Sequence, residues 1–354
     1  MPDHERLDEG INETDLDLIA ALQWSPRAGV RDLAEVLGVS AATVSRRLNR
    51  LIDNGHLRVV AQINWSALDE VPPRYVWMSA EPKLVASLAA EVSQLEQTQY
   101  VAITTGPSDI FAIVQPRNRA DGADLLIETL SGLDGLVSSR TDIVLKSHRT
   151  AAEWRLDRLS REQCDRLQGT RVSETVQSAT LTEEAWRVAR LVRRNGRIGA
   201  TEVARALDLP QSTAYRVLLG LLDRGIVTPR VEIEPGLIGY PIDALINLTV
   251  QLGELTTIAG ILSKHPSARS VATVAGTASL TYIGSFRSEQ NVERLITDDL
   301  ASLSGINHIE VSMVQRVLKR YWIRRDGVRL LDDALNFPSV NDAIADPRSV
   351  GNLD

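Results

Sequence analysis

The residues of this chain best suited to chemistry are a spaced set of hydroxyls and guanidiniums, not nucleophiles or metal ligands. Thr43, Arg46, Arg47 and Arg50 follow at i, i+3, i+4 and i+7, the spacing of one helical face. Ser40 stands where its hydroxyl can cap the first N–H groups of that helix. Guanidiniums so arrayed suit phosphates and guanine edges, and spacing alone does not divide them between the two. Val44, Leu48, Leu51 and Ile52 make a separate apolar face at i, i+4, i+7 and i+8. A helix anchored by one face and presenting the other, entered through a turn at Gly38, is what a helix-turn-helix requires. The alternative is an ordinary helical hairpin with a solvated basic stripe.

The elements that must position this set are legible on both sides of it. Thr14–Trp24 reads as an amphipathic helix, with Leu16, Ile19, Ala20 and Leu22 apolar and Glu13, Asp15 and Asp17 near the favourable end of the dipole. Ser25-Pro26 ends it. Leu57–Ile63 is a β-prone segment suited to a wing, and Pro72-Pro73 marks a boundary. Beyond it come a strand, Tyr75–Ala80, a helix, Pro82–Leu95, and two β-rich runs, Val101–Thr105 and Ile110–Gln115, joined by Gly106-Pro107-Ser108-Asp109. A helix, Ala120–Leu130, and a strand, Val137–Leu145, complete a β-α-β-β-α-β order, that of the ferredoxin-like split βαβ motif.

The chain then repeats. Gly55 and Gly225, Gly106 and Gly276, and Gly135 and Gly305 all share an offset of 170 residues, the mark of a tandem duplication. The fold class expected is therefore α+β: two copies of a winged helix-turn-helix followed by a βαββαβ domain. The expected divisions are 1–66 and 67–150 for the first pair, 151–180 for a linker with a helix around Trp154–Leu167, 181–235 and 236–330 for the second pair, and 331–354 for a partly disordered tail. The copies differ. Thr43, Arg46, Arg47 and Arg50 become Thr213, Arg216, Val217 and Gly220, while Ala214, Leu218, Leu221 and Leu222 keep the apolar face. Ser212, Thr213, Tyr215 and Arg216 remain as contacts the second helix could offer. The turn becomes Gly276-Thr277-Ala278-Ser279, a hydroxyl replacing the carboxylate.

Composition excludes several classes. A 44% hydrophobic and 24% charged chain of 354 residues is ordinary for a globular protein of several units. No apolar run approaches the roughly 18–20 residues that span a bilayer, and the polar N-terminus is no secretory signal, so a cytoplasmic location is expected. Cys164 is the single cysteine, which excludes an intrachain disulfide and a cysteine-based zinc site. There is no Walker loop, HExxH or GxSxG, so no cofactor, metal or catalytic residue is expected. The net charge of −7 argues against a non-specific polyanion binder but not against a specific one, since the basic groups gather between Ser40 and Val60.

On the residues TDLDLIAALQWSPRAGVRDLAEVLGVSAATVSRRLNRLIDNGHL, followed by a βαββαβ module turning at Gly106-Pro107-Ser108-Asp109, each half resembles the Lrp/AsnC (feast/famine) family of bacterial transcriptional regulators. The resemblance implies double-stranded DNA as partner for Ser40, Thr43, Arg46, Arg47 and Arg50, with Ser212, Thr213 and Arg216 in the second copy. It implies a small effector, an amino acid or relative, at Thr104, Thr105, Gly106, Ser108 and Asp109, with Gly276, Thr277 and Ser279 as the second-copy equivalents. Asp109 would hold a ligand ammonium; equally, Gly106 and Asp109 could serve only the turn. The loss of that carboxylate at Ser279 implies one dominant effector site per chain. It also implies pairing of the two sensing modules into a pseudo-dimer, with further self-association. Sirohaem decarboxylases resemble the same architecture, but Ser66–Arg74 and Pro235–Asp243 carry no histidine of the kind their chemistry needs.

Overall fold

The computed structural model describes residues 11–65, 72–116, 119–168 and 181–331. The tail after 331 and the Ser/Thr-rich stretch 169–180 lie outside the described residues.

The first head is three helices: α1 (Glu13–Trp24), α2 (Val30–Leu37) and α3 (Ala41–Asp53). A reciprocal cap opens α1, Asn12 accepting from Asp15 N while Asp15 accepts from Asn12 N. Gly38, at φ 68°, closes α2, and Ser40 Oγ accepts from Thr43 N at 3.1 Å to start α3. Leu18, Leu22, Leu33, Val44, Leu48 and Leu51 form the core. The stretch after residue 150 joins this core. Trp154 and Leu156 are buried in it, and Leu156 N donates to Gln23 Oε1 at 2.8 Å. The helix expected around Trp154–Leu167 starts later, as α6 (Arg161–Gln168); the residues before it are tied to α1, Arg155 and Leu156 to Gln23 and Arg158 to Glu13 and Asp17.

The second head repeats the first with α7 (Glu183–Arg194), α8 (Ala200–Leu207) and α9 (Gln211–Asp223). Two local devices are weaker. Asp208 takes the left-handed turn of Gly38 at φ 53°, and Pro210 replaces Ser40 with no side-chain cap. The wing strands do not stand free. β1 (Leu57–Ile63) and β6 (Val227–Ile233) pair antiparallel, with Val60 opposite its own repeat position Arg230. Such pairing of equivalent residues defines a local two-fold axis between the heads.

The sensing modules merge more completely. The strands are β2 (Arg74–Ala80), β3 (Thr98–Thr104), β4 (Ile110–Val114) and β5 (Leu136–Arg149), then β7 (Ile242–Val250), β8 (Ala268–Ala275), β9 (Leu280–Phe286) and β10 (Ile306–Arg320). They run β10-β3-β4-β2-β5-β8-β9-β7 and return to β10, so the ring is closed and these strands leave no free edge. Alternation decides the faces. Val76, Met78, Val101 and Ala112 pack under α4 (Val85–Gln94) and the helix that begins as α5 (Arg119–Asp124) and widens over Leu125–Thr129. Tyr75, Trp77, Tyr100 and Phe111 point inward, with Trp77 and Phe111 ring centroids 4.4 Å apart. The second module packs likewise under α10 (Leu255–Ser263) and α11 (Glu289–Arg294). A final hairpin joins β10 to β11 (Ile323–Asp326) through Tyr321 and Trp322, at φ 51° and 63°, with β12 (Arg329–Leu330) beyond. Such turns select Asn-Gly. Two bulky aromatics held there cost about 1–2 kcal/mol each.

Candidate nucleic-acid interface and sensing turns

The open side of α3 carries Ser40, Ala42, Arg46 and Asn49, all exposed, with Thr43 half-buried and its hydroxyl 2.8 Å from Ser40 Oγ. Arg46 makes no hydrogen bond or ion pair among the described residues. Arg47 and Arg50 differ. Both turn back onto α1, Arg47 Nη1 lying 2.9 Å from Asp15 Oδ1 and Arg50 Nη2 2.5 Å from Asp15 Oδ2. The Asp15 side chain has no exposed surface. Burial opposes its charge, but the Asn12 N–H and the two guanidiniums outweigh that and hold the carboxyl below the usual range. Arg58 is likewise turned inward, donating to Ile52 O at the end of α3. Asn49, three residues after Arg46, completes the exposed ridge; its helical spacing is legible in the sequence, but a neutral amide does not mark it as a contact.

On α9, Ser212, Tyr215 and Arg216 are exposed and Thr213 is half-buried. Val217 and Gly220 replace Arg47 and Arg50, and the position of Asp15 is Ala185, which packs with Val217 against the second core. The anion and both cations are therefore missing together. The second head has lost an internal ion cluster, while the exposed arginine survives as Arg216.

Reciprocal arginines lock the heads together. Arg27 donates to Gly196 O at 2.5 Å and Ile198 O at 3.0 Å. Its repeat partner Arg197 donates to Pro26 O and Ala28 O, both at 2.7 Å, the same two carbonyl positions in the other copy.

The sensing turns sit against each other's modules. In the first, Thr105, Gly106 and Pro107 are exposed, Thr104 Oγ1 donates to Ser108 O, and Thr105 exchanges hydrogen bonds with Met313 of β10. Gly106, at φ 95°, lies where a Cβ would come 2.9 Å from Ser312 Oγ. Asp109 Oδ2 accepts from Ala80 N at 2.9 Å; in the second turn Ser279 Oγ accepts from Val250 N, the same position, at 3.2 Å. The shared latch is thus made by a carboxylate in one copy and a hydroxyl in the other. The second turn meets Asp142, fully buried, where the first meets Ser312. Asp142 accepts from Trp77 Nε1 at 3.0 Å and Thr277 N at 3.2 Å, and a Cβ on Gly276 would fall 1.7 Å from its Oδ1. Each turn therefore has one carboxylate beside it, from its own copy at Asp109 and from the opposite copy at Asp142.

The fold and these surfaces define a class: a tandem protein in which paired helix-turn-helix heads are mounted on paired ligand-sensing modules. Comparison with known families agrees. Residues 11–57 match a winged helix-turn-helix DNA-binding model, 187–230 an IclR helix-turn-helix model, and 75–153 and 243–322 the Lrp/AsnC ligand binding domain. This is the domain content of an Lrp/AsnC transcriptional regulator in duplicated form. Similar relatives include an uncharacterised HTH-type transcriptional regulator of Pyrococcus furiosus, 27% identical over 38% of this chain and 91% of the relative. The HTH-type transcriptional regulator FL11 of Pyrococcus abyssi is 24% identical over 40% of this chain and 95% of its own length. Each corresponds in length to one half of this chain. Among solved structures, the siroheme decarboxylase NirDL superposes with a TM-score of 0.58 at 11% identity, covering 91% of this chain and 96% of that one. That likeness is one of fold. Among the described residues no helix is long and apolar enough to cross a membrane, and no cluster could hold a metal.

Proposed function

We propose that this protein is a sequence-specific DNA-binding transcriptional regulator whose two heads present unequal reading helices at a fixed spacing. The observation that carries this reading is the exposed ridge of α3, where Arg46, which makes no hydrogen bond or ion pair among the described residues, stands beside Ser40, Thr43 and Asn49. Arg47 and Arg50 hold the helix on α1 and reach a duplex only with the donors that Asp15 leaves unused. Arg216, with Ser212 and Thr213, supplies the second contact. Because the heads are tied by β1–β6 pairing and by Arg27 and Arg197, the operator is expected to be two unlike half-sites and not a palindrome. A small effector, an amino acid or relative, binds at the sensing turns and shifts this assembly, which acts at the chromosome in the cytoplasm and carries out no catalysis.

The experiment is recovery of bound genomic fragments followed by salt titration of one recovered site. Arg46→Ala is expected to lower affinity by about tenfold, and to reduce the log–log salt slope by about one if the contact is to phosphate. Arg216→Ala should do the same with a smaller effect. Unaltered affinity in both variants removes the two ridges from the interface.

A further inference from the structure

Apart from the reading ridges and sensing turns, the molecule holds a cavity of about 720 Å³ between the first helix of the second head, the end of the first wing and the mouth of the ring. Its volume falls within the roughly 300–1,000 Å³ typical of small-molecule sites. Five arginines line it, Arg187, Arg190 and Arg193 from α7, Arg269 from β8 and Arg320 from β10, against two carboxylates, Glu96 and Glu183. Aromatic rings close it, among them Trp65, Tyr75, Trp186 and Trp322.

Three observations show that this space is built and not left over. Arg269 is 6% exposed; its guanidinium lies 4.8 Å over the Trp154 ring, and its Nη1 has no hydrogen-bond partner among the described residues. A buried guanidinium donor without an acceptor is costly, and it fits a site whose acceptor arrives with a ligand. Second, Tyr321 and Trp322 occupy the left-handed turn that glycine would take without strain, and both line the cavity. Third, the repeat lacks this arrangement. At the position of Arg187 the first head has Asp17, paired with Arg158 at 2.8 Å; at that of Arg193 it has Gln23, taken by Leu156 N. The corresponding joint is packed with Trp154 and Leu156.

We propose that this cavity is a binding site, one per chain, for an aromatic carboxylic acid, the carboxylate paired with Arg269 and Arg187 and the flat ring held among the tryptophans. A neutral apolar ligand leaves Arg269 Nη1 without an acceptor. An inorganic anion leaves the rings unfilled, and a short aliphatic amino acid offers them no flat face to stack on. Because the walls belong to α7, β1 and both modules, an occupant bears on the joint between the heads and the ring. Its regulatory consequence rests on the function proposed above; its binding does not.

The test titrates the full chain with 2-naphthoate, following tryptophan emission and heat, beside 2-naphthylmethanol, inorganic phosphate and leucine. The expected result is one saturable naphthoate site, with the neutral alcohol and phosphate much weaker. Arg187→Ala and Arg269→Gln should each weaken it by about tenfold or more, while Asp109→Asn at the sensing turn leaves it unchanged. Arg187 is only half-buried, so that variant keeps the test open if Arg269→Gln does not fold. Absence of saturable binding, equal binding of the alcohol, or insensitivity to Arg187→Ala overturns the proposal. Naphthoate binding by a protein that recovers no DNA would reject the regulatory reading and leave this one standing.

Discussion

The two heads share a fold and differ in how they are fastened, a sharper contrast than the difference in their reading helices. In the first head, buried charge is spent inside the domain, where Asp15 clamps Arg47 and Arg50, and the joint to the rest of the molecule buries Trp154 and Leu156, with the Arg158 pairs to Glu13 and Asp17 at its exposed edge. In the second, the inside is apolar, through Ala185 and Val217, and charge is spent at the joint. There, Glu232 accepts from Arg230 at 2.9 Å and from Arg325, and Arg320 lies 2.5 Å from Asp243. Arg230 also lies 3.4 Å over the Tyr321 ring. Duplication let each copy distribute its ions separately. What survives in both is the exposed arginine, Arg46 and Arg216.

The largest way to break the contrast is at the charged joint. Glu232→Ala leaves two buried guanidiniums short of their acceptor and is expected to cost about 3–5 kcal/mol in chemical denaturation. The matching change at the half-buried Gln62 should cost far less. Next comes the internal clamp of the first head. Asp15→Asn is expected to lose about 1–3 kcal/mol, with Arg47 and Arg50 partly rehydrated because they are 21% and 41% exposed. The sign with pH follows from the lowered carboxyl. Its stabilisation is complete above the unfolded value of 3.8 and is lost as pH falls through the lower folded value. Acid denaturation should therefore be shallower in Asp15→Asn, while Ala185→Asp in the second head confers no such dependence. The smallest effect concerns α9. A Cβ on Gly220 would meet nothing within 4 Å, so Gly220→Ala should stabilise the protein by about 0.8–1 kcal/mol with DNA affinity unchanged.

Local pattern made much of the molecule readable. Leu57–Ile63 is a strand over the expected residues, and the strands expected at Tyr75, Val101, Ile110 and Val137 are all present with shifted ends. The longest shift, β5 running on to Arg149, arises because β8 of the other module pairs with its second half. Pro82–Leu95 begins later, at Val85, and Ala120–Leu130 is an α-turn that widens, features set by packing on the ring. The ridge of α3 was half legible. Period 3.6 grouped Arg46, Arg47 and Arg50, but a stripe of that width covers both an open surface and a flank against α1, and only the position of Asp15 separates them.

The sequence by itself determined the duplication, the order of elements in each copy, the apolar faces and the glycines at the turns. All of these are local or periodic and repeat at one offset. Tertiary structure alone decided that the wings pair with each other and that the strands close into a ring. It also decided that Arg27 and Arg197 exchange carbonyls and that an arginine-lined cavity opens beside the second head. Those features join residues more than a hundred positions apart, and which buried charge finds which partner is a matter of distance and burial that no periodicity records.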